Sequence, residues 1–185
     1  MDRELRILLL LLSLGFIIDC FSIWRILSSF SLHLLAHFYS LIEFIVVIYI
    51  FILWQDSKKT KKIFQFTGVF FFMIWIYSKL TFVPFTGLFS FTATISRIIL
   101  SLGAGYTLFI VIANRIQRLF VTQRFWILLS FVVSFAGTLM PVAVQGFLFT
   151  HSKQSLFAAW YVMWASTIIA NLLFTVGFLC PQKQI

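Results

Sequence analysis

The chain has 185 residues, of which 62% are hydrophobic and only 10% charged, with a mean hydropathy of +1.05. Soluble domains run about 45–50% apolar and about 25% charged, so a soluble domain with a large core is excluded. The net charge of +9, from 14 Lys and Arg against 5 Asp and Glu, points to nucleic acid in a soluble chain but to basic cytoplasmic loops in a membrane chain, and no nucleic-acid partner is expected.

A membrane-spanning helix needs about 20 mostly apolar residues, and about six stretches qualify. The expected fold is therefore all-α: a polytopic transmembrane helix bundle forming one domain over residues 1–185, with both termini cytoplasmic. The first span is 7–24, after "MDRELR". No small-x-small cleavage site follows it, so it reads as a retained span rather than a cleaved signal. It offers a polar face of Gly15, Asp19 and Ser22.

The second span, 33–54, contains "HFYSLIEFIVVIYIFILW", where Glu43 interrupts an otherwise apolar run. Tyr39 and Ser40 lie four and three residues before Glu43, so the three share one side of a helix. His33 and His37 form a separate i, i+4 pair nearer the outer surface. They could ligate zinc or copper from one helix face, but a metal site wants a third ligand. The remaining histidine, His151, falls in another outward-facing loop, so we read the pair as an interfacial site with no metal. No second mid-membrane histidine suits a haem, and no cofactor is implied.

The third span, 63–83, follows the basic run "KKTKK", in which Lys58, Lys59, Lys61 and Lys62 set topology and can hold anionic headgroups. Its residues 69–76, "VFFFMIWI", are apolar all round and are expected to face lipid. The fourth span, 94–114, carries Arg97, Ser101, Ala104 and Gly105. The fifth, 125–148, carries a stripe of Ser130, Ser134, Gly137, Thr138, Pro141 and Gln145. The sixth, 157–180, carries Trp160, Trp164, Thr167, Asn171 and Thr175.

Charge orients these spans. Arg3, Arg6, Lys58, Lys59, Lys61, Lys62, Arg115, Arg118, Arg124 and Lys183 fall on one side. Arg25, Lys79 and Lys153 fall on the other, and Arg97 lies just inside a span. Short loops rich in Lys and Arg stay cytoplasmic. At 1.5 Å per residue from the cytoplasmic ends, Glu43 is about 16 Å deep, Asp19 about 18 Å and Arg97 about 25 Å. Glu43 and Asp19 are thus expected to share a layer, within reach of Arg97.

The loops are short, with no room for a further domain. There is no internal repeat, and no CxxC, HExxH, Walker or GxSxG motif. Cys20 and Cys180 are expected at different depths, which argues against a bond between them. Trp24, Trp54 and Trp126 fall at span ends, where aromatic belts lie.

Charged groups in a span usually face the bundle interior, a partner or a cavity. The expected site is accordingly a polar cluster of Asp19, Tyr39, Ser40, Glu43, Arg97, Ser134, Thr138, Thr167 and Asn171. Small and hydroxyl residues also let membrane helices approach closely, and that explanation serves for the serine, threonine and glycine stripes. The reading preferred for the whole is a non-enzymatic ligand- or partner-binding bundle, sensory if a protein partner relays the signal. The alternative is a proton-coupled transporter or channel using Glu43 or Asp19. A third is a membrane-embedded enzyme acting on a lipid, with Asp19 and Glu43 as an acid–base pair.

Several segments carry a likeness: "FIID" (16–19), "HFYSLIEF" (37–44), "RFWILLSFVVSFAGTL" (124–139) and "NLLFTVGF" (171–178). Together they resemble a set of small multi-pass membrane proteins of Bacteroidota. Those proteins have a similar Asp ending an early span, an aromatic-Leu-Ile-Glu-Phe segment, a Phe-Trp-Ile opening and an Asn in the last span. The resemblance implies a bacterial inner-membrane setting and adds no activity.

Overall fold

A computed structural model describes residues 3–23, 29–81, 90–114, 122–151 and 153–180. Among them are six α-helices and no strand: α1 (Arg3–Ile23), α2 (Ser29–Trp54), α3 (Lys58–Thr81), α4 (Ser90–Asn114), α5 (Gln123–His151) and α6 (Lys153–Leu179). In hydrocarbon every backbone N–H and C=O must find its partner within the chain, and a helix satisfies them within one segment.

Among the described residues, five segments are long and apolar enough to cross a membrane: Leu35–Trp54, Lys58–Thr81, Phe91–Ala113, Gln123–Val144 and Phe157–Leu179. These match the second to sixth expected spans. The first expected span, 7–24, lies partly outside the described residues, and its described part is helical within α1.

The chain divides into two units, Met1–Thr92 and Ala93–Ile185. In the first, α1 packs on α2 and α2 on α3. The ordered turn from Gln55 to Ser57 makes α2 and α3 an antiparallel hairpin. Its seam is aromatic: Phe44 stacks on Phe71 at 3.8 Å, Phe51 meets Phe64 at 5.7 Å and Phe38 meets Trp75 at 5.9 Å. On α3 the buried residues are Thr60, Phe64, Phe71, Trp75 and Ser78, a single stripe at helical spacing.

This corrects the expectation for residues 69–76. Val69, Phe70, Phe72, Met73 and Ile76 are exposed, whereas Phe71 is fully buried and Trp75 nearly so. An all-apolar run hides which face packs, because lipid and protein neighbours are equally apolar.

In the second unit α5 and α6 form the most extensive helix pair among the described residues. Phe131 packs edge-on against Phe174 at 5.2 Å. A side chain at Gly137 would run into Ser166, and a Cβ at Gly177 would come 3.0 Å from Ile127. Small residues thus let the two backbones close up, as membrane helices require where no hydrophobic force drives them together.

Candidate functional site: polar groups within the spans

Glu43 sits on the middle of α2, half-buried, with its Oε2 atom enclosed. Tyr39 and Ser40, one turn earlier, are also half-buried. Tyr39 reaches α1 at Gly15, where an added Cβ would stand 2.5 Å from its hydroxyl.

That contact sets the heights of the two acids. Residues 23 and 29 can be no more than about 21 Å apart, less than the ~31 Å length of α1, so α1 returns antiparallel to α2. Asp19 is four residues beyond Gly15 toward one end, and Glu43 four residues beyond Tyr39 toward the other. Their backbones differ in height by about 12 Å. The expected shared layer is therefore not formed, and Leu11, not Asp19, comes level with Glu43. An acid–base pair of the two has no support in this arrangement. The side chains of Asp19 and His33 lie outside the described residues.

Arg97 belongs to the second unit. It is half-buried, and its guanidinium carbon stands 5.1 Å from the centroid of the Phe135 ring on α5. This cation–π contact is worth about 0.5–2 kcal/mol depending on desolvation. On α4, Ala93, Ser96, Leu100, Ala104 and Thr107 form the buried stripe, and Arg97 flanks it.

The hydroxyl stripes spend their donors on their own helices. Ser130 donates to the Trp126 carbonyl at 2.7 Å and Thr138 to the Ser134 carbonyl at 2.7 Å. Thr167 donates to Met163 and Thr175 to Asn171, both at 2.9 Å. Such bonds satisfy the hydroxyl without aiming it at a ligand. On α5, Ser130 and Thr138 are buried and Ser134 half-buried. The expected α6 stripe is not the packed one: Trp164, Thr167, Asn171 and Thr175 are exposed. The seam to α5 runs instead through Ser166, Ala170, Phe174 and Gly177. A small-residue stripe and an Asn-bearing stripe coexist on α6, and only the close approach at Gly137 selects between them.

One further pair was not anticipated. His37 is buried, with only 1% of it exposed. The ammonium of Lys79, on α3, lies 2.8 Å from its Nδ1 and 3.5 Å from its Nε2. An ammonium can only donate, so Nδ1 is placed to accept. Trp75 lies beneath the same ammonium, 5.8 Å from its centroid. The signal was present in the sequence, because so short a turn after Trp54 brings residues 37 and 79 level in an antiparallel hairpin. Among the residues described there is no group of three or more His, Cys, Asp or Glu that could hold a metal ion. Comparison with protein-family models, with characterised proteins and with solved structures returns no match.

Proposed function

We propose that this membrane helix bundle is a non-enzymatic binding module of a bacterial inner membrane. It recognises a ligand or a partner protein through polar groups inside its spans. The observation that supports this reading is Glu43, a half-buried carboxylate in the middle of an apolar span. An ionised carboxylate there costs at least a few kcal/mol, an expense a purely packing position avoids with any apolar side chain. Asn171, exposed on α6 within another span, offers an amide that can donate and accept across to a partner helix. Lys58, Lys59 and Lys62 are exposed at the start of α3 and meet anionic headgroups at the cytoplasmic surface.

The test is mild-detergent purification from native membranes, wild type beside Glu43→Gln, with mass spectrometry of everything retained. A reproducible small molecule or membrane protein should accompany the wild type and fall roughly tenfold in the variant, a loss of about 1.4 kcal/mol. Absence of any reproducible companion would overturn the binding reading. The buried Oε2 also supports proton-coupled transport as a second reading. Flux in proteoliposomes that stops in Glu43→Gln would replace binding with that function.

A further inference from the structure

The His37–Lys79 pair is separate from Glu43, some six residues further along α2, and it has a chemistry of its own. Lysine amines become nucleophiles when a nearby group takes the ammonium proton in apolar surroundings. Here the acceptor is already in place: the imidazole Nδ1 stands 2.8 Å from Nζ. His37 is buried, and Lys79 is half-buried above the Trp75 ring. On either side in sequence Ser78 is buried and Leu80 is 80% exposed, so the helix face beside Lys79 is open to molecules dissolved in the bilayer. Lys58, Lys59 and Lys62 are exposed at the opposite end of the same helix.

We infer that Lys79 is a reactive amine that forms an imine with apolar aldehydes dissolved in the membrane, His37 serving as the base that accepts its proton. The ammonium passes one proton to Nδ1, and the neutral amine adds to the aldehyde carbon. The carbinolamine then loses its oxygen as water, leaving a C=N bond to Nζ and the proton on the imidazole. Nothing is oxidised or reduced. In this role His37 is a positioning and proton-accepting residue, and Lys79 is the group that bonds to the ligand.

The experiment uses the full chain in phosphatidylcholine vesicles with decanal and cyanoborohydride, which reduces any imine to a stable secondary amine. Peptide mass spectrometry then reads the alkylation rate at each lysine. Lys79 should be modified roughly tenfold faster than Lys58, Lys59 and Lys62. His37→Gln keeps a carbonyl that accepts from the ammonium but supplies no base, and it should slow Lys79 by roughly tenfold or more. Because decanal concentrates in the bilayer, the variant separates proton acceptance from mere proximity. An unchanged Lys79 rate in folded His37→Gln, or a wild-type rate no faster than that of the exposed lysines, would overturn the inference. If His37→Gln does not fold, His37→Asn, which likewise accepts without acting as a base, takes its place, and an unchanged Lys79 rate there overturns the inference equally.

Discussion

At the residue scale, two glycines that both admit a neighbour are expected to tolerate substitution very differently. At Gly15 the obstacle to a Cβ is the hydroxyl end of Tyr39, a flexible tip, whereas at Gly137 it is the Oγ, the Cβ and, at 3.8 Å, the Cα of Ser166. Gly15→Ala should cost about 1 kcal/mol or less, and Gly137→Ala about 2 kcal/mol or more, as overpacking does. Ser166→Gly should recover much of the second loss, which a double-mutant cycle in SDS unfolding would read as a coupling of about 1 kcal/mol or more. Ser130→Ala and Thr138→Ala should each change stability by under about 1 kcal/mol. Their hydroxyls bond carbonyls of their own helix, which already serve in the backbone ladder.

At the element scale, the α2–α3 hairpin is held by ring contacts rather than by expulsion of water. Removing a core Phe in a soluble protein costs about 3–5 kcal/mol, much of it for lost transfer from water. Lipid is as apolar as the seam, so that part is missing. Phe71→Ala is therefore expected to cost about 2 kcal/mol, while Phe70→Ala and Phe72→Ala, on exposed positions, should change stability by under about 0.5 kcal/mol. Equal losses at all three, measured by unfolding in mixed micelles, would contradict the packed stripe. In α5, Pro141 lies inside the helix and cannot donate to the carbonyl four residues back. That carbonyl is Gly137's, where an added side chain would run into Ser166 of α6, so the missing rung of the α5 ladder coincides with a close contact between the two helices.

At the scale of the whole molecule, the charge pattern makes a testable statement about sidedness. Cys20 and Cys180 are free and half-exposed, one near the end of α1 and the other just beyond α6. With Lys and Arg held inside and α1 crossing, a membrane-impermeant thiol reagent added to intact cells should label Cys20. Cys180 should react only after permeabilisation. The reverse order would invert the expected orientation, and labelling of both from one side would show that one of α2–α6 does not cross.

Helical class and five of the spans were legible in the sequence because a lipid solvent imposes one rule on every position: apolar for about 20 residues, with the backbone bonded to itself. Glu43 was legible for the same reason, as a departure from that rule. What the sequence could not rank was the faces of each helix. Phe70 and Phe71 are the same side chain, and so in effect are the Ser166 and Thr167 hydroxyls. Only the antiparallel registers decided which of them packs. Those registers moved Asp19 about 12 Å away from the level of Glu43 and brought His37 against the ammonium of Lys79. Composition fixes the solvent a chain can live in, whereas contact between helices depends on heights and close approaches that arise only when two of them meet.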